Sequence, residues 1–350
     1  MRVTDETIAQ RFRAAALLIA LTAAALVFIQ TDAKVSDLWF IKQRYMAAIT
    51  VVVFAFVVLR FVLDLVVELI RTRRSAAHKG QSITLIVFRR IRWTDMAAAL
   101  LALAILSSSG TVYKTTQIGS DGYGWDAMFI AWDRALFFGY DPWQLTHAIF
   151  STPRATAWID FFYHGLFLPM ILGYILCVAL VERPELRYTY ILSFLGGILV
   201  TGMIMAAWLH SAGPVYDGHL FGDGRTFGPL IDRLAAQAEE ERSMAALRAQ
   251  DYLLRMHETG RIGFAGGISA MPSVHLMLTF IWMFAAWHIH KALGVLCGVY
   301  TAIIWIGSVH LGWHYFVDGL VSLVVMIVIW RLAGRLCGLY PSAQVIRATT

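Results

Sequence analysis

The chain has 350 residues, of which 59% are hydrophobic and only 15% are charged. Soluble domains carry roughly 25% charged residues, so this composition excludes an ordinary soluble protein and indicates a membrane protein. The net charge of +6 does not indicate nucleic-acid binding, because seven Lys or Arg side chains lie together in one short loop, as is typical of a membrane protein.

Eight apolar stretches approach or exceed the length of about 20 residues that a membrane-spanning helix needs. The alternating pattern of a β-barrel does not occur, so the sequence predicts an all-α, polytopic transmembrane bundle. In chain order, the predicted spans are residues 14–30, 46–70, 95–108, 161–181, 188–209, 272–287, 292–309 and 315–336.

The loop between the second and third spans sets the predicted orientation. Residues 71–93 contain seven Lys or Arg side chains, and short basic loops of this kind stay in the cytoplasm. Residues 110–159 and 210–271 then lie outside. The sequence therefore predicts a multi-pass protein of the inner or plasma membrane. Its long loops face the extracytoplasmic side.

The predicted organisation has three parts. Residues 1–94 form a two-span unit with the basic loop, residues 95–337 form a six-helix core, and residues 338–350 form a cytoplasmic tail. Each part follows from the positions of the spans and of the charged segments between them.

The two long outer loops differ in character. The first mixes Trp and Phe with Asp126, Asp133 and Asp141, which is typical of a helix at the membrane interface with its carboxylates in solvent. The second has irregular Gly- and Pro-rich arms around one strongly helix-forming segment, residues 230–256. We expect that helix to cap an entrance from the membrane.

Polar residues spaced by four interrupt the last apolar region, in the stretch "GSVHLGWHYFVDGL". In a continuous helix, His310, His314 and Asp318 would share one face. If "HLGWH" is a turn, His310 leaves that face. In either case Asp318 can bind one imidazole nitrogen of His314 and leave the other nitrogen for a substrate.

A second polar group occurs in "GGISAMPSVH", at the outer start of the sixth span. Gly266 and Gly267 allow backbone to approach a ligand closely, and Pro272 suits the first turn of a helix. Free N–H groups at that helix start, with the Ser273 hydroxyl, would bind an anion. His275 follows directly.

These parts together indicate phosphoryl transfer through a covalent histidine. An imidazole supported by Asp318 attacks phosphorus, the other histidine protonates the leaving oxygen, and backbone amides hold the equatorial oxygens. The reaction needs no metal and no cofactor.

"PSVH" followed by "HLGWHYFVD" resembles the second and third motifs of the type 2 phosphatidic acid phosphatase superfamily. Those motifs read Pro-Ser-Gly-His and Ser-Arg-(five residues)-His-(three residues)-Asp. The resemblance implies a six-helix membrane core with an outward-facing site that acts on a membrane lipid phosphate. It also implies that His314 is the nucleophile, Asp318 its support and His275 the general acid.

The sequence departs from that family at its phosphate-binding cations. Gly307 and Ser308 stand where the family has Ser-Arg, and the first motif, Lys-(six residues)-Arg-Pro, is absent. Ser273 remains as a predicted phosphate ligand. The candidates for the missing cations are, in falling order, His310, Arg261, Arg225 and His210.

"MPSVH" with "HYFVD" more closely resembles the inositol phosphorylceramide synthase branch of the superfamily. Those enzymes move a phosphorylated head group between lipids. Two reactions therefore stay open. One is head-group transfer to a lipid or inositol acceptor, and the other is hydrolysis of a substrate such as phosphatidate or polyprenyl diphosphate.

Two hypotheses from other classes also stay open. His310, His314 and Asp318 could bind Zn²⁺ in a metal-dependent hydrolase, although "PSVH" would then be unexplained. The same residues could relay protons in a transporter, although no interrupted helices recur in two halves of the chain. Sensitivity to chelators tests the first hypothesis, and transport that survives loss of His275 would support the second.

Overall fold

The computed structural model describes residues 4–30, 39–47, 93–118, 120, 122–165, 173–174, 177, 181–241 and 244–340. Within these residues the regular structure is helical, apart from an isolated bridge between Asp217 and Phe221. The predicted all-α class is therefore confirmed.

Eleven helices of eight residues or more have both ends within the described residues. They are α1 (Asp5–Gln30), α2 (Trp93–Thr116), α3 (Asp126–Leu136), α4 (Pro142–Ile149), α5 (Pro153–His164), α6 (Pro184–Leu199), α7 (Gly228–Glu241), α8 (Ala245–Glu258), α9 (Val274–Ile289), α10 (Lys291–His310) and α11 (Phe316–Cys337). A π-helical turn, Val200–Met205, carries α6 on to Trp208.

Within the described residues, five helices are long and apolar enough to cross a membrane. They are α1, Thr94–Thr116 of α2, Pro184–Trp208, α10 and α11. These helices match the first, third, fifth, seventh and eighth predicted spans, and the shorter apolar helix α9 matches the sixth. The chain is therefore a multi-pass membrane protein.

Two predicted spans fall wholly or mostly outside the described residues. These are 46–70 and 161–181, and the basic loop and residues 341–350 of the tail lie outside as well. The count of eight spans, the six-helix core and the three-part division stay predictions. The third span is longer than predicted, because α2 continues through Ser107–Ser109 to Thr116.

Helix α1, which contains the first predicted span, packs directly on α2 and α6. The Phe12 ring stacks on Tyr188 of α6 at 4.6 Å, and Arg13 Nε lies 3.4 Å from Asp95 Oδ1 on α2. Tyr188 donates a 2.5 Å hydrogen bond to the same carboxylate. These contacts join α1, α2 and α6 into one packed group.

The first outer segment agrees with the interface prediction in its aromatic residues but not in its carboxylates. Trp132, Phe138 and Trp158 are exposed, Phe138 by 93%. Three aspartates expected in solvent are instead buried, namely Asp126, Asp133 and Asp141. That expectation is wrong, because backbone N–H groups or Arg134 supply each carboxylate with partners inside the protein.

The second outer segment forms two helices, α7 and α8, where the sequence predicted one. The start of α8 is held by a carboxylate from α5. Asp160 accepts hydrogen bonds from Ala245 N at 2.5 Å and from Ala246 N at 2.9 Å. Such capping satisfies N–H groups that have no partner within the helix.

Candidate active site

The turn between α10 and α11 carries His314. Helix α10 ends at His310 and α11 begins at Phe316, and Gly312 has a φ of +73° in between. A left-handed conformation at this position favours glycine. Of the two arrangements considered for "HLGWH", the turn is therefore the one that forms. His310, His314 and Asp318 do not share one helical face.

Three outer segments hold this turn through its backbone carbonyls. The bonds run from His147 Nε2 to His310 O (2.9 Å), from Gln250 Nε2 to Leu311 O (2.8 Å) and from Val215 N to Gly312 O (2.9 Å). The three segments that carry these donors therefore position the turn that carries His314.

His314 and Asp318 form a buried pair. Asp318 accepts hydrogen bonds from His314 Nδ1 at 3.0 Å and from Tyr315 N at 3.1 Å. His314 is 6% exposed and Asp318 is fully buried. Burial lowers the pKa of His314, while the Ala270 carbonyl acts in the opposite direction. The ring is therefore neutral near pH 7, and the bond at Nδ1 leaves the Nε2 lone pair for chemistry.

The start of α9 brings a second histidine to the same place. Ser273 is the N-cap, accepting a hydrogen bond from Leu276 N at 3.3 Å, and His275 lies in the first turn. The rings of His275 and His314 have their centroids 6.0 Å apart, and His275 stacks on Tyr163 at 4.6 Å. Two segments distant in sequence thus present facing imidazoles.

Ser273 also ties the two helix starts together, because its carbonyl accepts a 3.0 Å hydrogen bond from Ser322 of α11. Pro272 lies before the N-cap and is joined to Met271 by a cis peptide bond. Its predicted place in the first turn of the helix is therefore wrong.

The predicted phosphate cations lie in different surroundings. Both ring nitrogens of His310 contact threonine hydroxyls, Nε2 with Thr156 at 2.9 Å and Nδ1 with Thr146 at 3.2 Å. The His310 ring also stacks on His147 at 3.7 Å. His310 is thus engaged in packing α10 against α4 and α5.

The other three candidates lie on loops of the cap. Arg225 is 88% exposed and pairs with Asp223 at 3.2 Å. Arg261 is exposed in the turn after α8. His210 is half-buried, with Nδ1 3.2 Å from the Ala207 carbonyl. None of the hydrogen bonds or ring contacts found for these residues within the described structure joins them to His314 or His275.

The same geometry bears on the zinc hypothesis. A shared metal ion would need a free nitrogen on His310 together with His314 and Asp318. Thr146 and Thr156 occupy both nitrogens of His310. The described side chains therefore do not form the three-ligand set that this hypothesis requires.

Two of the buried aspartates, which the sequence analysis placed in solvent, support the site. Asp126 accepts hydrogen bonds from Ala212 N, Gly213 N and Tyr315 Oη at 2.9, 3.0 and 2.7 Å. Tyr315 is the direct neighbour of His314. This carboxylate therefore connects α3 to the turn on one side and to the segment after α6 on the other.

Asp133 plays a similar part at the start of α11. It accepts hydrogen bonds from Phe316 N at 2.8 Å and Val317 N at 2.9 Å. Burial raises the pKa of Asp133 to about 7, and the two backbone donors act in the opposite direction. A carboxylate at this helix start also suits the positive end of the helix dipole.

The glycine pair before the motif packs against α2. Gly267 has a φ of +92°, and a Cβ atom added there would lie 2.4 Å from Lys114 Cβ and 2.8 Å from the Lys114 carbonyl carbon. Gly267 therefore allows a close approach to the backbone of a helix, and the approach to a ligand that the sequence predicts stays a prediction. This contact brings Lys114, which sequence analysis missed, beside the loop that leads to His275.

Gly267→Ala is expected to lower both stability and turnover. The unfavourable φ alone costs about 1–3 kcal/mol, and the clash with α2 moves the loop. Gly122→Ala is a matched control, because Gly122 has a φ of +88° and no atom within 4 Å of an added Cβ. Thermal midpoints and turnover in detergent should fall further for Gly267→Ala. Equal effects would show that the contact with α2 is unimportant.

Comparison with known protein families identifies one that the sequence matches. The sequence model of the PAP2 superfamily matches residues 127–332, which include the start of α9 and the turn before α11. No curated protein and no solved structure matches the chain. Members of the superfamily are generally phosphatases and phosphotransferases. Because the match covers more than half of the sequence, the chain belongs to the PAP2 superfamily.

Proposed function

We propose that this protein is an integral membrane enzyme that transfers the phosphate or phospho-head group of a lipid through a covalent intermediate on His314. The observation that carries the proposal is the buried His314–Asp318 pair, with the His275 ring 6.0 Å from His314. Burying three ionisable side chains in a membrane protein costs free energy. Such residues usually serve a function.

The proposed first step forms a bond between His314 Nε2 and phosphorus. The bond from phosphorus to the leaving oxygen breaks, and His275, protonated once the anionic phosphate is bound beside it, gives its proton to that oxygen. Asp318 accepts the Nδ1–H bond throughout and stabilises the positive charge that develops on the ring.

In the second step an acceptor hydroxyl attacks phosphorus. His275, now neutral, takes the proton of that hydroxyl, and the bond between nitrogen and phosphorus breaks to restore His314. Water as acceptor gives a phosphatase, and a lipid or inositol hydroxyl gives a head-group transferase of the inositol phosphorylceramide synthase type. The resemblance of "MPSVH" and "HYFVD" to that branch supports transfer, with the site on the extracytoplasmic side.

The role of His275 can be tested with leaving groups of different quality. His275→Ala is expected to slow turnover of an alkyl phosphate lipid by about 10²–10⁴-fold, the usual range for loss of a general acid. The nitrophenolate released from a nitrophenyl phosphate leaves without protonation, so turnover of that substrate should fall much less. Rates are compared for both substrates on the same purified variant. An equal loss for both substrates would contradict the acid role.

A further inference from the structure

The C-terminal end of α2, at Lys114 and Thr115, packs against the loop that leads into α9. An added Cβ at Gly266 would lie 3.3 Å from Thr115 Oγ1, and the one at Gly267 would clash with Lys114. The backbone of the loop is thus in contact with the last turn of α2. This contact sets Lys114 next to the loop that leads to Ser273 and His275.

The charge of Lys114 acts on both facing histidines. Its ammonium group interacts electrostatically with His275 and with His314, which lie on separate segments. No carboxylate of the described residues pairs with Lys114. Lys114 is half-buried, and a partly buried ammonium group in a membrane protein favours an anionic ligand.

Buried polar atoms that have no hydrogen-bond partner among the described residues occur in the same segments. Within the described part of the chain, Tyr163 Oη, Trp313 Nε1 and Ser269 Oγ are buried without a hydrogen-bond partner. Tyr163 stacks on His275, Trp313 precedes His314, and Ser269 lies in the loop against α2. Buried polar atoms usually have partners, so their presence around the two histidines also points to a ligand with oxygen acceptors.

We infer that Lys114 is the cation that binds the non-reacting oxygens of the substrate phosphate. It would replace the lysine and arginine of the family motifs, which this sequence lacks. The inference rests on the proposed function of the same site. A lysine supplies a compact charge and up to three donors to a phosphate group. The charge stabilises the phosphoryl group most as negative charge shifts onto its oxygens.

One consequence concerns the architecture of the site. Lys114 lies on α2, outside residues 127–332 that match the superfamily. The helices before the matched region therefore contribute a substrate ligand and are not only an anchor. Sequence comparison restricted to the family motifs would leave this residue out.

The test uses the purified full-length protein in detergent with Lys114→Gln, Lys114→Met and Lys114→Arg. Lys291→Gln is the matched control, because Lys291 is an exposed lysine at the opposite end of α10 from the site. Two quantities are measured: kcat/KM for a lipid phosphate, and the inhibition constant of inorganic phosphate. The thermal midpoint of each variant shows whether it is folded.

The neutral variants should lower kcat/KM by about 10²–10³-fold. They should weaken phosphate binding by about 10- to 100-fold, as expected for loss of a charge-assisted contact. Lys114→Arg should recover part of both losses, and Lys291→Gln should change neither by more than about twofold. If Lys114→Gln does not fold, Lys114→Met reports the same quantities with an apolar stem of similar length.

Folded neutral variants with unchanged kcat/KM and unchanged phosphate affinity would overturn the inference, while activity of the parent protein would leave the proposed function in place. The reverse outcome separates the two claims as well. Lys114-dependent phosphate binding by a parent protein that turns over no lipid phosphate would support the cation site and contradict the proposed function.

Discussion

Replacing His314 by Ala is expected to lower turnover by more than about 10⁴-fold, as for other enzymes that lose a nucleophile. The Nε2 atom of His314 is the group proposed to bond to phosphorus, and alanine supplies no nitrogen in its place. The covalent intermediate should disappear with the activity. It can be trapped from the parent protein by quenching in alkali, in which a phosphohistidine is stable.

Asp318→Asn tests the effect of the Asp318 carboxylate while leaving the nucleophile, His314, in place. It keeps the size of the side chain but cannot stabilise the positive charge on the His314 ring, and it can turn the amide NH₂ toward Nδ1. A loss of about 10⁴-fold is expected, as for the equivalent change in a catalytic triad. His219→Ala and Asp223→Asn are the controls, because both residues are exposed on the outer loops. For His314→Ala, phosphorylated protein that persists after the alkaline quench would contradict the role of His314 as the nucleophile.

Asp126→Ala is expected to be the most destabilising change in the outer segment. It leaves three buried donors without their acceptor: Ala212 N, Gly213 N and Tyr315 Oη. Each unsatisfied buried group costs about 1–3 kcal/mol, so we expect a total loss of at least about 3 kcal/mol. Turnover should fall as well, because Tyr315 adjoins His314.

Thermal unfolding in detergent measures this effect against Asp251→Ala. Asp251 is 57% exposed and pairs with Arg255 within α8, and exposed pairs contribute only about 0–1 kcal/mol. Asp126→Asn should be intermediate, because its amide retains one acceptor oxygen. If Asp126→Ala unfolds at the temperature of the Asp251→Ala variant, the carboxylate does not hold these segments together.

The membrane helices and the central histidines could be predicted because both signals are local. Apolar runs identify α1, α6, α10 and α11 without any knowledge of the fold. His314 and Asp318 lie four residues apart, so a turn followed by a helix start still keeps them within hydrogen-bonding distance. The facing position of His275 required only that the two segments end on the same side of the membrane.

The surroundings of the site could not be predicted because they depend on contacts between distant residues. Asp126 lies among aromatic residues typical of an interface, and nothing nearby in sequence reveals that its partners are Ala212, Gly213 and Tyr315. The sequence offers His310 as a candidate for the missing phosphate cation. In the fold its ring nitrogens instead contact Thr146 and Thr156, which lie on two helices distant in sequence.

Lys114 was missed for a related reason. It lies in α2 at the end of a span that was predicted to finish at residue 108, so it was counted as part of a loop. Its relation to the site depends on Gly267, which is 153 positions later in the chain. The one available signal was that Lys114 is the single basic residue between Arg92 and Arg134.

The central claim is tested most directly by assaying the purified protein in detergent, with a chelator present, against phospholipids and polyprenyl phosphates. Each substrate is offered with and without inositol or ceramide-like acceptors, and free phosphate and new lipid products are followed together beside His314→Ala. We expect a phosphorus-containing product that the parent protein forms and the variant does not. Product formation that is absent from the parent protein, or unchanged in His314→Ala, would contradict the proposed enzyme.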